Sequence, residues 1–237
     1  MPKTLIIIPC YNESENIVKL IDVLLSIDPS IEVLVVDDSR DNTAELVRNR
    51  QTNEARLHLI KRQGKGGRGT AVLDGFKFAL ARDYKLIAEM DADFSHEPRE
   101  FKSLVAVSAD NTMVIGSRDL KESKIVGWPW KRTLFHKFAN FYAKIILRIP
   151  IKDYTNGYRI YGRGALEKLD MTRIKGIGYI VLSEISYQLF KKGVKFVEVP
   201  TVFVNRKRGA SNFSLKEITE AFTSVIRIKL DHLKPSV

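Results

Sequence analysis

Short β-branched apolar runs alternate with amphipathic stretches from the start of the chain. Residues 5–9 and 32–38 are rich in Ile, Leu and Val, and between them residues 14–27 place Ile17, Leu20, Ile21, Leu24 and Leu25 at helical spacing. That is a strand–helix–strand unit. The pattern continues with a helix predicted over 42–50, a strand over 56–60, a helix over 70–81, and a strand over 85–90 running into Asp91-Ala92-Asp93. A further helix is expected over 97–107 and a strand over 112–116. Such alternation implies an α/β fold, with a mostly parallel central sheet flanked by helices.

Beyond Arg118 the texture changes. The basic, aromatic segment Gly127-Trp128-Pro129-Trp130-Lys131-Arg132 precedes a helix predicted over 134–147. Turn-like residues 153–159 lead into a short strand. A helix over 179–190, a strand over 195–204 broken by Pro200, and a long terminal helix over 215–233 complete the pattern. No repeat, low-complexity tract or linker divides the chain, so one domain is expected over 1–237.

Composition narrows the classes. Of 237 residues, 44% are hydrophobic and 28% charged, which is ordinary for a folded, water-soluble protein. Thirty-nine basic against 28 acidic residues leave a charge of +11, which favours an anionic partner: a phosphate ester, an anionic lipid surface or a nucleic acid. The one cysteine, Cys10, excludes an intramolecular disulfide and a cysteine-ligated metal cluster, and a cytosol-facing location is expected. The first apolar run is too short for a signal peptide, and no run approaches the roughly 20 apolar residues of a spanning helix. Any membrane contact is therefore expected to be peripheral.

Three acidic groups fall at the carboxyl ends of predicted strands, where open parallel sheets bind ligands: Asp37-Asp38, Asp91-Ala92-Asp93 and Asp153. Two carboxylates one residue apart can hold a hard divalent cation that also takes phosphate oxygens, as in a nucleotide diphosphate. An isolated Asp-x-Asp can instead cap a helix, but here Ser95 or His96 is available for that. Gly64-Lys65-Gly66-Gly67-Arg68-Gly69 matches the dinucleotide fingerprint, with Glu89 downstream, so an NAD-dependent oxidoreductase is an alternative. The motif lies in the third strand–helix turn rather than the first. A P-loop fails, since Gly66 follows Lys65 where Ser or Thr is required. Arg118, Arg132, Arg159, Arg206 and Arg208 lie near loop signals and suit phosphate recognition. A basic phosphate-binding module without catalysis remains a further alternative. Trp128, Trp130, Phe135 and Phe138 beside basic residues raise a nucleic-acid reading, but no nucleic-acid fold signature accompanies them and none is expected to bind.

Four segments together resemble the ordered signatures of family 2 glycosyltransferases with the GT-A fold: Pro9-Cys10-Tyr11-Asn12-Glu13; Asp37-Asp38-Ser39 with Asp41-Asn42-Thr43; Asp91-Ala92-Asp93-Phe94-Ser95-His96 with Pro98; and Gly116-Ser117-Arg118. Gly127-Trp128-Pro129 with Arg132, Ala139-Asn140, residues 153–159, Glu184, and Phe203-Val204-Asn205-Arg206 with Gly209 and Ser211 resemble the dolichol-phosphate mannose synthase branch. The resemblance implies transfer of a hexose with inversion from a sugar nucleotide, GDP-mannose before UDP-glucose, to the phosphate of a polyprenyl (dolichyl) carrier. It implies that Pro9, Tyr11, Glu13, Asp37 and Asp38 hold the nucleoside and that Asp91 and Asp93 bind Mg²⁺ or Mn²⁺ on the diphosphate. Ser95 stands where some relatives place a metal-binding Gln. By the same resemblance Arg206 stabilises the leaving diphosphate, and Arg118 and Arg132 receive the acceptor phosphate. Asp93, Arg118 and Arg206 are thus the expected catalytic residues. Two departures stand out: His136 replaces a common Ser, and Gly209-Ala210-Ser211-Asn212 replaces Gly-x-Ser-Lys, which brings His136 and Arg208 in as acceptor contacts.

On this reading 1–118 is the nucleotide and metal half, 119–212 the acceptor side, and 213–237 a terminal amphipathic helix. Leu215, Ile218, Phe222, Val225, Ile226 and Leu233 form its apolar stripe, which either faces the core or docks on a membrane surface. The aromatic segment near Trp130 offers a second membrane contact. The chain resembles soluble catalytic subunits recruited by small membrane partners, placed at the cytosolic face of the endoplasmic reticulum or plasma membrane.

Overall fold

A computed structural model describes residues 1–64, 66–176, 178–205 and 215–231, with the backbone alone over 215–221. Strands β1 (Thr4–Cys10), β2 (Ile31–Asp37), β3 (Leu57–Lys61) and β4 (Leu86–Glu89) are parallel and lie in the order β3-β2-β1-β4. Helices α1 (Ile17–Ile27), α2 (Thr43–Gln51) and α3 (Arg68–Leu80) link them in turn. β5 (Thr112–Ser117) and β8 (Lys195–Pro200) extend the sheet as a parallel pair, and β7 (Arg159–Gly162) is inserted antiparallel between β4 and β5. Because β7 runs backwards, its first residue, Arg159, pairs with Glu89 at the end where its neighbours finish. A small second sheet pairs β6 (Lys124–Val126) with β9 (Val202–Val204).

The sheet is covered on both faces, as the unbroken apolar runs require. Along β1, Leu5 and Ile7 pack toward α3 and toward α7 (Ile180–Lys191), which follows the one-turn helix α6 (Arg163–Leu166), while Ile6 and Ile8 pack toward α1 and α4 (Phe101–Ala106). Gly75 lets α3 lie close on β1, since a Cβ there would fall 2.5 Å from Ile7 Cγ2. α5 (Trp130–Leu147) and α8 (Leu215–Asp231) add Ala143, Leu147, Val225 and Ile228 to the α3 side.

Three expectations are corrected. The predicted helix over 97–107 is a 3-10 turn, Pro98–Glu100, followed by α4, and it is capped by Glu97, whose Oε1 accepts from Arg99 N at 3.2 Å. Neither Ser95 nor His96 caps it. α5 begins four residues earlier than predicted, because Pro129 ends the preceding loop and its carbonyl takes the Arg132 and Thr133 amides. The predicted strand over 195–204 is two strands in two sheets: Thr201 N bonds the Ser117 carbonyl, and Val202 N turns away onto Glu100 Oε1 at 3.0 Å. On α8, for which the sequence leaves both a core-facing and a membrane-docking stripe open, Phe222, Val225 and Ile228 turn inward, with Phe222 against Phe135, Phe138 and Tyr142, while Ile226 stays 44% exposed; Leu233 and the side chains of Leu215 and Ile218 lie outside the described residues.

Candidate active site at the carboxyl ends of the strands

At the end of β1 the chain turns through Asn12, whose φ of 58° lies in the left-handed region, and Phe94 after β4 does the same at 57°. Strain of this kind persists only where surrounding contacts fix it. Asn12 N donates to Ser39 Oγ at 2.7 Å, Arg40 N returns a bond to Asn12 Oδ1 at 3.0 Å, and Glu13 N donates to Thr43 Oγ1 at 3.1 Å. Asp37 and Asp38 are both buried and held by the chain's own donors. Lys61 Nζ reaches Asp37 Oδ2 at 2.8 Å, and Arg62 clamps Asp38 through Nε and Nη2, each at 2.6 Å. The Gly66 and Gly67 amides also donate to Asp38, at 2.9 and 3.3 Å. This overturns the dinucleotide alternative, since the amides that would cradle a pyrophosphate are spent on a carboxylate.

At the end of β4, Arg68 Nε donates to Asp91 Oδ1 at 2.8 Å, and Nη1 lies 2.9 Å from the fully buried Glu89. Burial pushes the Asp91 carboxyl up, but the Arg68 charge and nearby His96 outweigh it and hold the group well below the usual carboxylate range. His96 Nε2 stands 3.8 Å from Asp91 Oδ2, and neither ring nitrogen has a hydrogen-bond partner among the described residues. Its ring lies between Tyr158 and Phe203, at 5.1 and 5.2 Å. Asp93 Oδ1 accepts from the amide of buried Ser95 at 3.0 Å.

Arg118 also lies 5.2 Å from the Phe203 ring, and 5.5 Å from Trp128. Nε and Nη2 fork onto Asp153, both at 2.8 Å, and Nη2 also donates to Thr155 Oγ1 at 2.6 Å. Nη1 makes no hydrogen bond among the described residues. Burial alone would raise the Asp153 carboxyl, and Arg118 holds it well below its ordinary value. His136 Nε2 meets Asp119 at 3.0 Å, Asn140 Nδ2 meets it at 2.7 Å, and Arg132 stacks 4.3 Å from Trp128 while bonding Asn205 at 2.7 Å. Asp119, His136 and Asp153 each offer a ligand atom within 4.8 Å of the others, a spacing that could hold a metal ion. In this structure those oxygens already accept from Arg118, Asn140 and the Thr155 and Asn156 amides.

The structure thus gathers Asp91, Asp93, Ser95, Arg118, Arg132 and His136 at one end of the sheet, with Asp37 and Asp38 beside them. Pro9 lies on β1 and Tyr11 is exposed just beyond it. Arg206 and Arg208 lie outside the described residues. Arg159, which suited phosphate recognition in sequence, is fully buried and donates to the Asn156, Leu182 and Tyr154 carbonyls and to Ser186. Arg62, Arg68 and Asp119 had no separate place in the sequence reading. Arg68 stood inside the glycine-rich motif, and Asp119 followed Gly116-Ser117-Arg118, so adjacency to known signals was the only hint.

The family model described as glycosyl transferase family 2 matches residues 5–170. A polyprenol monophosphomannose synthase of Mycolicibacterium smegmatis is 38% identical over 239 aligned positions, covering 98% of this chain and 90% of its own. An undecaprenyl-phosphate mannosyltransferase of Micrococcus luteus is 35% identical over 226, covering 95% and 93%. Among solved structures, glucosyl-3-phosphoglycerate synthase from Mycobacterium tuberculosis with Mn²⁺, UDP and glucosyl-3-phosphoglycerate overlays with a TM-score of 0.67 at 18% identity, covering 99% of this chain and 81% of that one. The same synthase with Mn²⁺, UDP and phosphoglyceric acid gives 0.69 at 17% identity, covering 100% and 80%. At those identities the likeness establishes the GT-A fold alone.

Proposed function

Because the chain belongs to glycosyl transferase family 2, we propose that it transfers a hexose, with inversion, from a nucleotide diphosphate sugar to the phosphate of a polyprenyl carrier. Mannose from GDP-mannose is the favoured donor, with UDP-glucose as the second. The near-full-length likeness to two proteins named for polyprenyl-phosphate mannosylation carries this reading. The geometry supports it: His96, beside the acidic strand end, and Arg118, a buried arginine with one nitrogen unbonded among the described residues, both lie 5.2 Å from the Phe203 ring.

Asp91 and Asp93 are the residues that would hold Mg²⁺ or Mn²⁺. The donor set fits, being two hard carboxylates one residue apart, one of them kept ionised by an adjacent arginine. When bound, the cation offsets the charge that grows on the departing diphosphate. We assign Pro9, Tyr11, Glu13, Asp37 and Asp38 to the nucleoside and Arg206 to the leaving diphosphate. Arg118 offers Nη1 to the acceptor phosphate from a guanidinium that Asp153 holds in place, with Arg132 and His136 nearby and Arg208 assigned to the same phosphate from the sequence. A lipid monophosphate is already anionic near neutral pH, its second pKa being about 6, so no strong general base is required.

The acceptor arrives from a bilayer, and α5 is shaped to meet one. Trp130, Leu134, Phe138, Phe141 and Ile145 follow one helical face and are each 54–70% exposed, with Lys131, Lys137 and Lys144 on the same helix. Among the described residues no helix is long and apolar enough to cross a membrane. The exposed apolar face of α5 supports a peripheral contact, which we assign to the cytosolic face of a membrane with a small membrane subunit assisting recruitment.

The test is transfer of radiolabelled mannose from GDP-mannose, and in parallel glucose from UDP-glucose, to a polyprenyl phosphate, with Mn²⁺ and with EDTA. Label should enter the lipid phase from GDP-mannose only when metal is present, and Asp93→Asn should abolish transfer in a folded protein. Normal turnover by that variant would remove Asp93 from the cation site and favour Asp119, His136 and Asp153.

A further inference from the structure

Arg68 opens α3, at the turn through Gly66 and Gly67 whose amides are tied to Asp38. Its three nitrogens are spread over three partners: Nε on Asp91 Oδ1 at 2.8 Å, Nη1 by Glu89 Oε2 at 2.9 Å, and Nη2 on the Gly157 carbonyl at 3.3 Å. Glu89 is fully buried, and its other oxygen accepts from Tyr161 at 2.6 Å. The Tyr179 ring covers the guanidinium at 5.3 Å. One cation therefore neutralises two carboxylates, one of which is assigned above to a divalent ion. A magnesium ion binds carboxylate oxygen at about 2.0–2.1 Å, so an ion on Asp91 Oδ1 and a guanidinium 2.8 Å from that oxygen would repel at short range in a largely buried setting.

We propose that Arg68 fills the cation's place at Asp91 while no donor is bound, as a positioning residue whose release sets the affinity for the divalent ion. The inference rests on the assignment of Asp91 and Asp93 to that ion. In the donor-free enzyme Arg68 keeps the strand-end carboxylate ionised and oriented, and it makes metal alone a weak ligand. A nucleotide diphosphate gives the displaced guanidinium a new anionic partner, so metal and nucleotide strengthen each other's binding.

The test is Mn²⁺ binding to the full chain, read from the electron paramagnetic resonance of free Mn²⁺, without nucleotide and with GDP. Two variants remove the guanidinium from Asp91 by different routes. Arg68→Met deletes the charge but leaves Glu89 without its counter-ion, which threatens folding. Gly157→Ala keeps the charge and both carboxylates: a Cβ there would fall 2.2 Å from Arg68 Nη2 and 3.3 Å from Asp91 Oδ1, which forces the guanidinium aside. Each folded variant should bind Mn²⁺ alone on the order of tenfold more tightly, with a smaller gain from GDP. Unchanged or weaker Mn²⁺ binding by folded Gly157→Ala overturns the inference. Asp93→Asn separates the two readings. If it abolishes Mn²⁺ binding while Gly157→Ala brings no gain, the role of Arg68 alone falls; if it leaves Mn²⁺ binding intact, the cation assignment falls and the inference with it.

Discussion

Arg118 and Asp153 form a buried pair with two 2.8 Å contacts, and each holds the other in its charged form. Removing one partner leaves an uncompensated buried charge, so Asp153→Asn should lower stability at neutral pH by about 3–5 kcal/mol, read from chemical denaturation. The acid dependence follows from the direction of the shift. The folded carboxyl lies below its unfolded value of about 3.9, so the unfolded chain binds more protons between the two. Stability from this pair is complete above the unfolded value and is lost as pH falls through the folded one. Below about pH 4 the thermal midpoint of Asp153→Asn should therefore fall less steeply than that of the wild type. At this scale Asp91, Asp93 and Arg118 were legible because each ends an apolar run that could only be a strand. Arg159 was not, because loop arginines that bind phosphate and buried arginines that gather carbonyls share one sequence signature. Arg68 was hidden by the glycines around it, whose spacing also fits a cofactor loop.

Apart from the helix expected over 97–107, the strands and helices of the first 118 residues were readable nearly to their ends, since each carries its own periodicity and the core confirms it on both faces of the sheet. Past residue 118 the elements take their form from partners distant in sequence. The 195–204 run splits because Glu100, far away in the chain, captures the Val202 amide. α5 reads as half loop, half helix because its first turn carries Trp130 and two cations instead of a core face. The two candidate membrane elements differ in the structure: α8 turns Phe222, Val225 and Ile228 inward and leaves Ile226 and Leu230 exposed, whereas α5 carries the longer exposed stripe. Burying a large apolar side chain is worth about 1.5–3 kcal/mol, so Leu134→Glu with Phe141→Glu should weaken co-sedimentation with anionic vesicles more than about tenfold. GDP binding should be unchanged, because neither residue supports the strand ends. Undiminished vesicle binding by the double variant would move the contact elsewhere.

On the scale of the whole molecule, the charge of +11 belongs to an acidic site that must accept two phosphorylated substrates, and the arginines at the strand ends resolve that tension locally. The sheet does not respect the boundary at residue 118 drawn from the motifs. β4 and β5 are both complete by residue 117, yet neither pairs with the other, because β7 lies between them. A fragment of residues 1–118 should therefore show no cooperative thermal transition, whereas the full chain should unfold in one step by circular dichroism; a cooperative fragment would restore the boundary. The reversed strand also imposes an order of events during synthesis. Until residues 159–162 leave the ribosome, two strands already made have open edges facing one gap, and edges of that kind recruit other chains. How fast translation passes from residue 118 to 162 thus becomes a determinant of yield, and slow codons in that interval would be expected to raise the aggregated fraction without altering a single side chain.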